Sequence, residues 1–368
     1  MDIGRRLNKA RVAIGYTLEK VSQESGIGTS SLSDFENSKR EPKFSQLSRL
    51  AEIYRKSIEF FLTDEPIIEN VMLWRGRPNT KEERKKTKAE FRQLCEQYRN
   101  LEALMDEVKE VKFPPIDVKS EEFGYKDANR LAEKMNKEFS LGDIPSMTLK
   151  QTLEEKFYVK IFHLAFSGSA ISTFSPKFGL AVLLNKDSKH WRRNYDLAHE
   201  LFHLLTWNIF RSGNLENNEP GEHEEKLANA FASKLLLPTD SVKDKIETAM
   251  DENANISFEA LDEIAREFGV SLDALLWRML YLYNKSVEDI EGYLEQAKRV
   301  RINRPLRKSD EPDELPERYC SLAMRALGEG KLSLMQFAKY MGIGYKKAQE
   351  YLTEDEDFPD EKISISVA

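Results

Sequence analysis

The sequence predicts a multidomain, mainly α-helical chain with one α+β unit set among helical ones. Three observations carry that expectation. A chain of 368 residues is long for one compact core, so two or three units are expected. Apolar residues recur at helical spacing along most of it, and only "FYVKIFHLAF" and "FGLAVLLN" have the apolar density of strands. The helix after the second strand carries "NYDLAHELFHLL", in which His199, Glu200 and His203 form H-E-x-x-H and both imidazoles share one face.

Composition narrows the class. The net charge of −7 gives no support to a generally nucleic-acid-coating protein, although one domain can bind DNA through a local patch. No apolar run approaches the roughly 18 residues that span a bilayer, so no membrane association is expected. The start "MDIGRRLNKARVAIG" has no apolar signal core, so a cytoplasmic protein is expected. Two cysteines, Cys95 and Cys320, make neither a disulfide framework nor a cysteine-rich zinc site. A metal in this chain must be held by histidine and carboxylate.

Residues 1–65 read as short helices, with Leu7, Val21, Leu32, Phe35, Leu47, Leu50 and Phe61 spaced for a small core. "SGIGTSS" supplies a glycine turn and an N-cap. Residues 66–112 form a charged helical linker, in which Phe91, Leu94, Tyr98, Leu101, Met105 and Val108 make a heptad-like seam. That seam fits either a dimerisation helix or a helix laid on a neighbouring domain. "FPPI" breaks the helix and opens the α+β unit, 113–255, whose helical continuation runs over 256–300. If an edge of strand 178–185 is open, an extended peptide can add to it. Residues 301–368 form a helical C-terminal extension with an acidic tail. Its "LSLMQFAKYMGIGYKKAQEYL" faintly echoes the N-terminal helix pair.

A zinc hydrolase site needs three protein ligands, an open position for water and a base. His199 and His203 supply two ligands and Glu200 the base. Downstream, Glu225 lies 225 − 203 = 22 residues after His203 on another helix, with Asn229 one turn further to hydrogen-bond a ligand from behind. Glu224 replaces Glu225 if the register shifts by one; Glu225 is favoured because it puts Asn229 on its own face.

"VLLN" at 182–185, "DLAHELFH" at 196–203 and "EKLANAFASKLLLP" at 225–238 together resemble the ImmA/IrrE metallopeptidases. The resemblance covers roughly residues 120–285 and implies a zincin-like fold with His199, His203 and Glu225 as zinc ligands and Glu200 as base. One Zn2+ per chain is implied, with Mn2+ or another divalent ion open. Phe202 stands where the family has glycine, and is expected to narrow or redirect the cleft.

"TLEKVSQESGIGTSSLSDFENSKREP" resembles the lambda-repressor-like helix-turn-helix family. The resemblance implies base or sugar contacts from Thr29, Ser30, Ser31 and Ser33 and phosphate contacts from Lys39 and Arg40. Leu18 and Ser38 replace the family's usual glutamine and glycine. The expected fold is thus mainly α, with an N-terminal five-helix DNA-binding domain, an α+β zincin-like peptidase domain and a helical extension.

The two resemblances imply a DNA-binding transcriptional regulator, acting as a homodimer on an operator with dyad symmetry. Its zinc endopeptidase cleaves a helix-turn-helix repressor, a partner protein or its own chain in response to stress or a signal. The linker around 75–90 is the candidate cut site. The alternative is a DNA-binding regulator whose zincin-like domain senses a metal or ligand and cuts nothing.

Overall fold

The computed structural model describes residues 2–63, 71–76, 80–109, 113, 116, 122–211, 219–299 and 311–353. The tail beyond Thr353 and linker residues 77–79 lie outside the described residues.

Five short helices open the chain: α1 Ile3–Ile14, α2 Leu18–Ser25, α3 Thr29–Glu36, α4 Phe44–Ile53 and α5 Ile58–Leu62. They enclose Leu7, Val21, Leu32, Phe35, Leu47, Leu50, Tyr54 and Phe61. The Thr17 hydroxyl caps α2 by accepting from Lys20 N, and Gly26 ends it at φ 71°, a left-handed turn that glycine makes without strain. At Gly4 the backbones touch: a Cβ there would stand 2.5 Å from the Phe35 carbonyl oxygen.

The chain then forms β1 Met72–Arg75, a strand for which composition gave no warning, and α6 Lys81–Leu104. Helices α7 Tyr125–Glu138 and α8 Pro145–Glu155 lead to β2 Lys160–Leu164, β3 Ala170–Ser175 and β4 Gly179–Asn185. Helices α9 His190–Leu205, α10 Trp207–Phe210 and α11 Glu222–Leu236 follow, then α12 Thr239–Ala249, α13 Phe258–Glu267, α14 Leu272–Leu282 and α15 Val287–Arg299. The extension supplies α16 Glu317–Gly328, α17 Leu334–Met341 and α18 Tyr345–Thr353. Among the described residues no helix is long and apolar enough to cross a membrane.

The sheet has the order β1-β3-β4-β2, antiparallel except between β2 and β4. The strand at 179–185 is therefore central, with β3 on one side and β2 on the other, so neither of its edges is open to an added peptide. Alternation along the strands sends Ala170, Val182 and Leu184 into one core with α9 and α11. Ile171, Ala181, Leu183 and Phe162 point the other way, into a second core with α6 and α16. Both faces are covered, so β4 reads as an unbroken apolar run rather than an alternating one.

The part of the heptad-like seam that lies in α6 is spent inside the chain, while the helix ends at Leu104, short of Met105 and of Val108, which is exposed. Phe91, Tyr98 and Leu101 are buried, with Tyr98 5.4 Å from the Tyr319 ring and 6.1 Å from that of Phe162, centroid to centroid. Glu102 at the end of α6 is buried between Lys160 Nζ, 3.0 Å away, and an Arg318 guanidinium nitrogen at 2.7 Å. A buried carboxylate needs such partners, and here they tie β2 and α16 to the same helix. In the extension, α17 begins at the Ser333 cap and ends at Gly342, φ 63°, repeating the turn chemistry of α2.

Candidate functional site

Helix α9 is amphipathic in an unusual sense, since its buried face carries ionisable groups. Asp196, His199, Glu200 and His203 are all 1% exposed or less. Such groups persist in a core only with partners or a metal.

The two rings are turned so that their Nε2 atoms meet at 3.2 Å. The Glu225 carboxylate from α11 faces the same point, with Oε2 at 3.3 Å from His199 Nε2 and Oε1 at 3.5 Å from His203 Nε2. Ligand atoms about 2.0–2.1 Å from a tetrahedral zinc ion stand about 3.3 Å apart, so this donor set fits such an ion in type and spacing. One ligand atom from each of the three residues lies within 4.8 Å of the others.

The outward nitrogens are engaged as well. His199 Nδ1 lies 3.1 Å from Asn229 Oδ1, and His203 Nδ1 lies 2.8 Å from Glu224 Oε1. With Nδ1 carrying the proton, each Nε2 presents its lone pair to the shared point. Glu224, the register alternative to Glu225, thus sits behind His203 and is itself held by the Arg211 guanidinium at 2.8 Å. One turn of α11 separates Glu225 from Asn229, which is why both reach the α9 histidines.

Glu200 points to the sheet side of α9. Burial pushes its carboxyl up to about 7, opposed in part by the Ser172 hydroxyl on β3. Neither of its oxygens has a hydrogen bond of normal geometry among the described residues. A carboxylate balanced near neutrality is suited to taking and returning a proton.

Phe202 packs beside His203, its ring centre 5.8 Å from that of the imidazole. Its ring is fully buried against Phe123, Phe210 and Phe231, at centroid distances of 5.9, 6.2 and 5.6 Å. The space a glycine would leave open is filled here by a closed aromatic cluster. Asn185 at the end of β4 donates to the carbonyls of Phe166 and Gly168 at 2.8 and 2.7 Å, fixing the loop between β2 and β3.

Two contributors escaped the sequence reading. Asp196, one turn before His199, forms an ion pair at 3.0 Å with Arg75 Nε from β1 and another at 3.2 Å with Arg192 Nε. Arg75 also donates to Asn229 Oδ1 at 3.3 Å and lies 5.2 Å from the Tyr195 ring centre. The helical spacing of Asp196 could have been noticed; nothing local marks Arg75.

In the N-terminal unit, α3 turns Leu32 and Phe35 inward and leaves Thr29 and Ser30 exposed and Ser31 and Ser33 half-buried. Lys39 and Arg40 are exposed just beyond it. Ser33 is partly engaged, since Asn37 Nδ2 donates to its carbonyl at 2.8 Å. Ser38, which stands where the resembling family usually has glycine, takes φ 56°, the left-handed conformation glycine adopts most easily. Glu36 makes a two-pronged ion pair with Arg11, at 2.6 and 2.8 Å, which clamps α1 to α3.

Residues 7–61 match a family described as helix-turn-helix, and residues 154–280 match a peptidase family described as the IrrE N-terminal-like domain. Among curated proteins, the HTH-type transcriptional regulator ImmR of Bacillus subtilis (strain 168) is 31% identical over 67 residues, 18% of this chain and 53% of that protein. Among solved structures, a Mycobacterium tuberculosis transcriptional regulator aligns with a TM-score of 0.31 at 17% identity over 51% of each chain, a likeness too slight to carry an argument. The matches thus span about half the length of these relatives.

Proposed function

We propose, from a chain that joins a helix-turn-helix domain to an IrrE N-terminal-like domain, that it is a DNA-binding transcriptional regulator with a zinc-dependent endopeptidase centre. The observation that carries this reading is the convergence of two Nε2 atoms and the Glu225 carboxylate beside the buried Glu200. The substrate is a helix-turn-helix repressor, a partner protein or the chain itself, cut in response to a signal.

His199, His203 and Glu225 would hold the zinc ion. When bound, zinc supplies Lewis acidity towards a scissile carbonyl and the attacking water. Glu200 would take the proton from that water and return it to the leaving amine, the general-base role for a carboxyl placed between the two histidines in sequence. Asn229 and Glu224 keep each imidazole in one tautomer and one orientation. Arg211 holds the Glu224 carboxylate in place at 2.8 Å.

At the other end, α3 enters the major groove with Thr29, Ser30, Ser31 and Ser33 towards base edges or sugars, while Lys39 and Arg40 grip phosphate. A homodimer on a dyad-symmetric operator supplies the affinity that one small domain lacks. The α6 seam is buried within the chain, so such a dimer uses another surface.

The test is a cleavage assay on candidate repressors and on the chain itself, with zinc present, comparing the natural chain with Glu200→Gln. Cleavage by the first and none by the second supports an endopeptidase. A Glu200→Gln chain that regulates its operator unchanged, with no cleavage by either protein, supports the sensing alternative instead.

A further inference from the structure

We infer that Arg75 is a positioning residue for the metal centre: from β1 it holds the Asn229 carboxamide that orients His199, so the strand following the helix-turn-helix domain completes the site. The inference rests on the metal-centre reading above, and it concerns a residue outside both family matches, which cover 7–61 and 154–280.

The placement follows from the strand register. Residues on β1 alternate between the two faces of the sheet. Met72 and Trp74 join the α6 core, and Arg75, paired with Ala170, shares the opposite face with α9. From there its guanidinium reaches three neighbours. Nε meets Asp196 Oδ1 at 3.0 Å, a second nitrogen donates to Asn229 Oδ1 at 3.3 Å, and the plane lies 5.2 Å from the Tyr195 ring centre. Tyr195 in turn donates its hydroxyl to the Asn229 carbonyl at 3.1 Å.

Asn229 Oδ1 is the pivot. It receives both the Arg75 donor and His199 Nδ1, at 3.3 and 3.1 Å. A carboxamide can present either oxygen or NH2 to an imidazole. A cationic donor on the same atom tolerates only the oxygen, so Arg75 selects the orientation in which Asn229 accepts from Nδ1–H and leaves Nε2 free for a metal. Asp196, with no exposed surface, anchors the guanidinium by charge. The fork geometry of arginine allows both contacts from one side chain.

The experiment is a competition titration of the full-length chain with a chromophoric zinc chelator, using Arg75→Ala, Arg75→Lys, Asn229→Ala and the Arg75→Ala/Asn229→Ala double variant. Circular dichroism verifies folding. Loss of an orienting partner typically weakens metal affinity about 10–100-fold, so each alanine variant is expected to bind zinc about tenfold or more weakly. The double variant should be no weaker than Asn229→Ala alone, because Arg75 acts through that residue. Should Arg75→Ala not fold, Arg75→Lys decides, since it keeps a charge beside Asp196 and loses the fork. Unchanged affinity in a folded Arg75 variant, or additive losses in the double variant, overturns the inference while leaving the metal centre standing. A natural chain that binds no zinc overturns both.

Discussion

Glu224 Oε1 meets His203 Nδ1 at 2.8 Å on the side of the ring turned away from Nε2, while Glu225, next in sequence, faces Nε2 at 3.5 Å. Adjacent carboxylates therefore face opposite sides of one imidazole. Glu225→Ala should remove stoichiometric zinc, and Glu224→Ala should retain it with affinity weakened about 10–100-fold. Elemental analysis and chelator competition separate the two. Equal losses in both would mean that the two acids share one role.

Glu200→Gln should keep zinc and operator binding and lower hydrolysis of a cleaved substrate by about 100-fold or more, the scale of a lost general base. The substitution preserves volume in a fully buried position. An unaltered rate would transfer the proton to another group.

Lys39→Ala and Arg40→Ala should each weaken operator binding and lower the slope of log affinity against log salt by about 1, as for one lost phosphate contact. Sequence preference should be unaffected. Fluorescence anisotropy at several salt concentrations reads both quantities, and a constant slope would place these residues off the backbone.

Arg11→Ala should destabilise the N-terminal unit by about 2 kcal/mol, because it leaves a Glu36 carboxylate that is only 7% exposed without its cation and with Asn8 Nδ2, at 2.7 Å, as its remaining side-chain donor. Thermal unfolding of the full chain measures the loss. A shift near zero would show that water replaces the guanidinium without cost.

His163 on β2 is buried, its Nδ1 2.9 Å from the Asp313 carbonyl, and burial pushes its imidazole down to about 3. The unfolded chain takes up this proton near 6.5, so the unfolded state binds more protons between those limits. The contribution to stability is complete above about 6.5 and is lost as pH falls towards 3, by up to about 1.4 kcal/mol per pH unit. His163→Gln should flatten the dependence of the denaturation midpoint on pH over that window. An identical slope in both chains would mean that His163 is protonated in the fold.

The helices and the clustering of His199, His203 and Glu225 were legible because their signals are local. H-E-x-x-H places two rings on one face by helical pitch alone. The E-x-x-x-N spacing does the same for Glu225 and Asn229. The glycine turn at Gly26 marked the end of α2, whereas the side-chain cap expected at the start of α3 is absent, its N-cap being Gly28; the apolar run "GLAVLLN" read as buried, and both faces of β4 are covered. Strand β3, "AISTFS", did not stand out, since Ser172 and Thr173 interrupt its apolar pattern although both are buried.

Sequence by itself indicated the kinds of unit in this chain and the residue types and order of the His-His-Glu cluster, because pitch and capping act over a few residues. Tertiary structure alone decided that β1 closes the sheet, that α6 buries Phe91, Tyr98 and Leu101 within the chain, that Glu224 and Glu225 face opposite sides of the His203 ring, and that Phe202 turns into an aromatic cluster. It also brought Arg75 to Asp196 and Asn229. Such pairings depend on strand register and on which face a helix buries, and these are settled only when distant segments compete to cover the same apolar surface.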